Sequence, residues 1–272
     1  MSSISNRGTQ PDSAHAIRVS AIASIWPILG TFVACTLAGS VALLVVQPHS
    51  GLDPAALSLV QFAPALGAFA TWLVFRRTIA RHSPAPVPSG RAGTNIGAVV
   101  GVCVVFWLLV TIAVVGSGAA LAGPAPVGGV PFTVFLMLQL LGATAEEIGW
   151  RGLMQPMLES RITRFAAVSV TGAAWALWHV QAFAVAPVTA VCFVVSAIAF
   201  AVVLGYLGEG SFGQRVLVAS IGHWLINIAV YLAVGDDTLG RPQVVFIAVA
   251  AVVAAGVVTV RVLRRGHGTP LR

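Results

Sequence analysis

Charged residues are scarce in this chain. Only 8% of its 272 residues are charged, and lysine is absent, so all 15 basic residues are arginines, against eight acidic residues. A soluble globular domain normally has about a quarter of its residues charged. Here 58% of the residues are hydrophobic and the mean hydropathy is +0.94. The composition therefore excludes an ordinary soluble domain and predicts a protein that crosses a membrane several times.

Cysteine is also rare, and its pattern indicates no disulfide framework or metal site. Cys35, Cys103 and Cys192 are isolated within apolar stretches, with no C-x-x-C spacing and an odd count, which is typical of small buried side chains. The H-E-x-x-H pattern of zinc peptidases is missing. Nucleic-acid binding is not indicated, because no basic and aromatic pattern accompanies the net charge of +7.

The intervals without charge predict an all-α fold, a polytopic membrane bundle of about eight transmembrane helices. A helix needs about 20 apolar residues to cross the hydrocarbon core, and glycine and proline clusters divide the longer intervals. The predicted helices are 22–46, 56–76, 95–120, 130–157, 164–182, 187–208, 215–234 and 243–263. They form one membrane domain, 19–265, between an N-terminal tail, 1–18, and a C-terminal tail, 266–272.

The arginines are distributed unevenly among the predicted loops. With a cytoplasmic N-terminus, Arg241 falls outside and Arg151 lies within the fourth helix, while all other arginines fall in cytoplasmic segments. The positive-inside rule therefore predicts that both termini are cytoplasmic. The net charge also indicates contact with the head groups of anionic membrane lipids. Because lysine is absent beside abundant alanine, valine, glycine and arginine, we expect a GC-rich bacterium and its plasma membrane.

A stripe of small residues opens the third predicted helix. Gly93, Gly97 and Gly101 stand four residues apart and share one helix face. Such a face permits two membrane helices to approach closely. The spacing therefore predicts tight helix packing at this stripe.

Two of the eight carboxylates, Glu146 and Glu147, stand side by side inside a predicted membrane helix. An ionised side chain near the bilayer centre costs at least about 2.5–3.5 kcal/mol on insertion scales, so such groups usually face a polar cavity or a partner. Glu147 and Arg151 are four residues apart in the favourable order for an ion pair. Glu146 is left without a local cation, and only His179 and His223 are basic groups at comparable predicted depth.

Two histidines and an asparagine add further polar groups to the membrane region. Trp175 lies one turn before His179, and His223 lies one turn before Asn227. A carboxylate facing an imidazole is suited to taking a proton from water, and His223 with Asn227 can donate hydrogen bonds to an oxyanion. Together these are the parts of a hydrolytic site. Structural interhelical hydrogen bonds, an interfacial His179 and a proton relay are the alternatives.

The order of these motifs, Glu-Glu-x-x-x-Arg, Trp-x-x-x-His and His-x-x-x-Asn, resembles the CAAX protease and bacteriocin-processing family of intramembrane proteases, the CPBP or Abi family, with its Rce1-like members. The resemblance covers about 130–234, which would be a protease-like core. The family pattern usually has phenylalanine in place of the tryptophan, a change that keeps an aromatic side chain. The matching residues are Glu146, Glu147, Arg151, Trp175, His179, His223 and Asn227.

The resemblance implies an intramembrane endopeptidase with a site recessed from the cytosol. Its substrate would be a membrane-associated or lipidated peptide, or a protein with a membrane-proximal cleavage site. Glu146 and His179 would activate the attacking water, and His223 and Asn227 would stabilise the oxyanion. The residues that would support the site structurally are Glu147, Arg151 and Trp175.

We expect no cofactor for this reaction. Some members of the family are called metalloproteases, and by ligand type Glu146, His179 and His223 could bind zinc, but their spacing does not indicate it. Two other functions stay open. One is a proton- or cation-coupled transporter that uses Glu146 and the histidines, although the inverted halves and paired broken helices of transporters are missing. The other is a catalytically idle immunity or scaffold protein of the same family.

Overall fold

A computed structural model describes residues 25–266, and every named element in this range is helical. The predicted all-α fold is confirmed, while the start of the first predicted helix, 22–24, and almost all of both predicted tails lie outside the described residues. Three 3₁₀ turns, at Gln47–His49, Leu59–Phe62 and Val180–Phe183, flank the helices. The helices are α1 (Trp26–Val46), α2 (Ala63–His82), α3 (Ser89–Gly116), α4 (Phe132–Glu159), α5 (Arg164–Trp178), α6 (Pro187–Leu207), α7 (Phe212–Val234) and α8 (Gln243–Gly266).

Seven of the eight helices in the described range are long and apolar enough to cross a membrane. The exception is α5, whose 15 residues extend about 22 Å at 1.5 Å per residue, less than the hydrocarbon core of about 30 Å. The chain is a multi-pass membrane protein. Two cytoplasmic termini require an even number of crossings, so that placement depends on α5 and stays a prediction.

The predicted and observed boundaries differ most at α2. This helix begins at Ala63, not at 56, and continues through His82, not 76. Pro64 lies in its first turn, where the missing N–H costs nothing. The arginines taken as its end, Arg76 and Arg77, lie inside the helix, since a long cationic side chain can extend along an apolar helix toward water.

A π-helical turn, Trp150–Met154, interrupts α4 within the predicted motif. Such turns are rare and occur frequently at functional sites. Arg151 lies in this turn and still reaches Glu147, with Nη1 2.8 Å from Oε1. The turn therefore changes the helix without breaking the ion pair that the spacing predicts.

The middle of the bundle is built from α3, α4, α6 and α7. Helix α7 packs against α3, α4 and α6, and α5 packs against α6 and the second half of α4. Helix α2 covers the other side of α4, with α1 packed against α2, while α8 packs against α3 and α6. The motif helices α4, α5 and α7 are thus neighbours in the fold.

The glycine stripe of α3 does not serve the close packing that its spacing predicts. Within the described range 25–266, a Cβ added at Gly93, Gly97 or Gly101 would meet no atom of a neighbouring element within 4 Å. Close approach occurs instead on α4. A Cβ added at Gly149 would lie 2.5 Å from Cβ of Pro64, and one at Gly142 would collide with the side-chain amide of Gln61.

Two carboxylates hold three arginines together at one end of the bundle. Glu209 bonds Arg91 at 2.6 Å and Arg164 at 3.1 Å, and Glu159 bonds Arg215 at 2.6 Å. Burial by itself would raise the pKa of Glu209, but the hydrogen bond from Arg91 and the charge of Arg164 outweigh it, and the pKa is lowered. This cluster joins α3, α4, α5 and α7 at what we call the arginine end.

Candidate active site

A cavity of about 390 Å³ lies between α4, α5, α6, α7 and α8. The structure brings into its wall all four side chains that the sequence predicts to be catalytic, namely Glu146, His179, His223 and Asn227. Much of the remaining wall is apolar, with Phe135, Phe193, Phe200, Ile226, Val230 and Tyr231. Polar groups from three helices therefore meet in a largely apolar pocket, as expected of a site that binds an organic ligand.

Glu146 is buried and is bound by a neutral donor. Its Oε2 accepts a hydrogen bond of 2.7 Å from the indole Nε1 of Trp175, and the residue is 1% exposed. Among the described residues it forms no ion pair. The indole orients the carboxylate without neutralising it, so Glu146 keeps the capacity to accept a proton.

Glu147 is shared by two basic groups. Its Oε1 accepts hydrogen bonds of 2.8 Å from Nη1 of Arg151 and 2.8 Å from Nδ1 of His223. Glu147 and Arg151 are both 0% exposed, and His223 is 3% exposed. The contact with Arg151 has the spacing that the sequence predicts, whereas the sequence offered Glu146, not Glu147, as the partner of His223.

The hydrogen bond to Glu147 fixes the ring of His223. A carboxylate accepts hydrogen bonds, so Nδ1 of His223 carries the hydrogen. The other ring nitrogen, Nε2, is then the one available to a ligand. Glu147 thereby connects the ion pair of α4 to the histidine of α7.

His179 lies where α5 ends. It is the C-terminal cap of that helix, with φ −85° and ψ 64°, outside the helical region. Its Nδ1 lies 2.8 Å from the backbone oxygen of Trp175, and because a carbonyl only accepts, Nδ1 carries the hydrogen. In the neutral ring Nε2 therefore has a free lone pair, which suits a hydrogen-bond acceptor or a base.

Trp175 contacts four groups of the motifs, and one of them is Glu146 through the hydrogen bond of its indole. Its ring centroid is 5.7 Å from that of His179, 5.1 Å from that of His223 and 4.9 Å from the guanidinium carbon of Arg151. The guanidinium contact has cation–π geometry. The phenylalanine of the family pattern could make these ring contacts but could not donate a hydrogen bond to Glu146.

Two glutamines of the cavity were missed by the sequence reasoning. Gln139 of α4 accepts a hydrogen bond of 3.2 Å from Nδ2 of Asn227. Gln61, in the 3₁₀ turn before α2, has a buried Oε1 with no hydrogen-bond partner among the described residues. Both line the cavity. The available signals were one amide in the predicted helix 56–76 and, in 130–157, an amide seven residues before Glu146 and so on nearly the same helix face.

The described residues are not arranged as a metal site. No three His, Cys, Asp or Glu side chains in the described range are grouped as metal ligands. In the set that ligand type would allow, Oε2 of Glu146 and Nδ1 of His179 both bond Trp175, while Nδ1 of His223 bonds Glu147. The two Nδ1 contacts leave Nε2 of each histidine available, and a ligating histidine commonly has such contacts, so they do not decide the question and a reaction without cofactor stays a prediction.

The cavity reaches the end of the bundle opposite the arginine end. Its lining includes Ala55 from the α1–α2 link and residues of the α7–α8 link, Gly235, Asp236, Thr238 and Leu239. The arginine count places both links outside the cell. A site recessed from the cytosol was expected from the family resemblance, so these two expectations are incompatible for this cavity.

Comparison with known proteins supports the motif assignment. Residues 128–229 match the family described as type II CAAX prenyl endopeptidase, Rce1-like. The CAAX prenyl protease 2 of Methanococcus maripaludis is 30% identical over 135 residues, which cover 45% of this chain and 49% of that protein. The chain thus spans about half the length of this curated relative. These findings support the resemblance, because the segment that carries the site is similar to the CAAX protease family.

Proposed function

We propose that this protein is an intramembrane endopeptidase of the bacterial plasma membrane that hydrolyses a peptide bond of a membrane-associated or lipidated peptide. One observation carries the proposal. Glu146, which is buried, accepts a hydrogen bond from a neutral indole and forms no ion pair among residues 25–266, lines the same cavity as His179, His223 and Asn227. The match over 128–229 to a peptidase family supports the same reaction class.

Glu146 and His179 act on the water. The water oxygen bonds to the carbonyl carbon of the substrate as one of its protons passes to Glu146. His179 accepts the second hydrogen of the water at Nε2 and so orients the attack. When the tetrahedral intermediate collapses, its C–N bond breaks and the proton on Glu146 passes to the leaving amine.

His223 and Asn227 bind the oxyanion of the tetrahedral intermediate. Asn227 donates from Nδ2, and His223 donates from Nε2 when that nitrogen carries a hydrogen, with the ring held through Nδ1 by Glu147. Removing one such donor from a known hydrolase lowers kcat about 10²–10³-fold. Glu147 and Arg151 touch no substrate in this scheme and hold His223 in place.

The test separates the two adjacent glutamates. Glu146→Gln keeps an acceptor for the Trp175 indole but cannot take a proton, so it should fold normally and lose peptide cleavage. Glu147→Gln leaves Arg151 and His223 without their anion, and breaking a buried pair costs on the order of 3–5 kcal/mol, so it should unfold at a lower temperature. Cleavage of a peptide library and thermal unfolding are both measured on purified protein in detergent.

Each outcome of this experiment decides something. Full cleavage by Glu146→Gln would exclude Glu146 as the base. If the wild-type protein cleaves no peptide but moves protons in liposomes in a Glu146-dependent manner, the function is transport. If it does neither, the chain is an idle member of the family. Loss of cleavage by Glu147→Gln alone does not make it the base, because Glu147 also holds His223.

A further inference from the structure

Gln139 forms two hydrogen bonds within the protein although it lines the cavity. Its Nε2 donates to the backbone oxygen of Ala56 at 3.2 Å, and its Oε1 accepts from Nδ2 of Asn227 at 3.2 Å. Gln139 is 9% exposed. It lies seven residues before Glu146, hence on nearly the same face of α4. Because both ends of its amide are hydrogen-bonded, the buried side chain of Gln139 is held in one orientation.

These contacts determine the orientation of both side-chain amides. The carbonyl of Ala56 can only accept, so the NH₂ group of Gln139 must face it and the oxygen of Gln139 must face Asn227. An amide oxygen also only accepts, so the NH₂ group of Asn227 faces Gln139. Asn227 then uses one N–H for Gln139 and keeps the second N–H on the same nitrogen for a ligand.

The anchor of this chain of hydrogen bonds is firmly held. Ala56 is fully buried, and its N–H donates to the backbone oxygen of Asp53 at 3.0 Å. The α3–α4 link packs directly against it, since a Cβ added at Gly128 would lie 2.9 Å from the nitrogen of Ala56. Gln139 therefore connects Asn227 to a fixed backbone carbonyl.

We propose that Gln139 is a positioning residue that holds the Asn227 amide with one N–H free for the oxyanion. Without Gln139 the amide could rotate and present its oxygen to the oxyanion, which would repel it. This inference rests on the proposed function, because it concerns the step in which Asn227 donates its hydrogen bond. It adds a fourth residue of α4 to the site, beside Glu146, Glu147 and Arg151.

The test combines Gln139→Leu with Asn227→Ala in the full-length protein in detergent, with peptide-library cleavage as the readout. Gln139→Leu should lower kcat on the order of tenfold or more while KM changes little, because the lost contact acts in the transition state. In the Asn227→Ala background the same change should cause no further loss. Gln61→Leu is the matched control, since Gln61 lines the cavity but has no bond to Asn227, and its effect should multiply with that of Asn227→Ala.

A second variant keeps the proposal testable if Gln139→Leu does not fold. Protonated glutamic acid has the donor and acceptor pattern of glutamine, with an O–H for Ala56 and a carbonyl oxygen for Asn227. Gln139→Glu should therefore be active only where its own carboxyl group is protonated and Glu146 is ionised. Its kcat should gain a fall with rising pH that the wild-type profile lacks, because the ionised carboxylate cannot donate to Ala56. If Gln139 were only structural, Gln139→Glu would change the unfolding temperature but would not change how kcat depends on pH.

The possible failures are distinguishable. If Gln139→Leu has the kcat of the wild type while Asn227→Ala is impaired, the positioning role is overturned and the peptidase proposal is left intact. Losses that multiply in the double variant, or a Gln139→Glu profile that matches wild type, would also overturn it. A wild-type protein that cleaves nothing would remove the proposed function, and this inference would fall with it.

Discussion

At the residue scale, one step along α4 separates two different carboxylates. Neighbouring helix positions differ by about 100° in direction, so Glu146 lines the cavity while Glu147 bonds Arg151 and His223. A buried carboxylate between two basic groups already has its charge compensated and is suited to a structural role. A carboxylate held by a neutral donor keeps its charge for chemistry. This difference in partners, not burial, separates the proposed roles.

Trp175→Phe tests whether the indole N–H orients the proposed base. Phenylalanine retains a ring for His179, His223 and Arg151 but removes the 2.7 Å hydrogen bond to Glu146. Hydrogen bonds to charged groups contribute about 1.5–3 kcal/mol, so kcat should fall roughly tenfold and thermal unfolding should occur at a lower temperature. The control is Trp178→Phe, which removes an indole bond to Ser40 outside the cavity and should keep cleavage. Unchanged kcat in Trp175→Phe would contradict the orienting role.

The sequence predicted the contacts within a helix far better than those between helices. Glu147 and Arg151 share a face by their spacing alone, and the structure contains that pair. The bond from His223 to Glu147 joins residues 76 positions apart, and it depends on how α4 and α7 are rotated against each other. Periodicity gives no such rotation, and the sequence offered the histidine the neighbouring Glu146 instead.

At the element scale, close packing of α2 against α4 supports the site, and Gly149→Ala tests it. The added methyl group would lie 2.5 Å from Cβ and 2.7 Å from the backbone oxygen of Pro64, so the helices must separate. Overpacking of this kind typically costs 1–3 kcal/mol, which exceeds the gain in helix propensity of up to about 1 kcal/mol. We expect unfolding at a lower temperature, measured in detergent.

Gly97→Ala is the matched control for this element. It makes the same chemical change within a helix, but its methyl group would meet no atom within 4 Å. Its unfolding temperature should therefore stay the same or rise. Equal destabilisation by both substitutions would show that helical glycines act through the backbone here, and not through contact between α2 and α4.

The sequence predicts which segments form helices better than it predicts how those helices pack. Charge-free length, divided at glycine and proline clusters, predicted all eight helices, and seven of them are long and apolar enough for burial in lipid to dominate their energy. The glycine spacing on α3 predicted packing wrongly, since lipid can cover a small-residue face as well as a helix can. The glycines that matter stand singly, such as Gly142, and a single glycine carries no pattern.

At the scale of the whole molecule, the cavity and the arginines define opposite ends. The charged contacts of Arg91, Arg164 and Arg215 gather at the arginine end, and the cavity lining ends in the α7–α8 link at Asp236. Because those arginines bond Glu159 and Glu209, they also hold helices together, so their position reflects packing as well as membrane orientation. Which end faces the cytosol decides from which side a substrate enters.

Cysteine labelling decides this orientation. In a protein whose three native cysteines are replaced by alanine, Asp237→Cys places a thiol on the α7–α8 link, and Ala85→Cys places one on the α2–α3 link at the arginine end. Both positions are exposed. From the arginine asymmetry we expect a membrane-impermeant thiol reagent outside intact cells to label position 237 and not position 85. Labelling of both positions after cell lysis controls for thiol reactivity.

Labelling of position 237 alone in intact cells would place the mouth of the cavity outside the cytoplasm. Labelling of position 85 alone would overturn the arginine-based topology and make the cavity accessible from the cytosol, as the family resemblance implies.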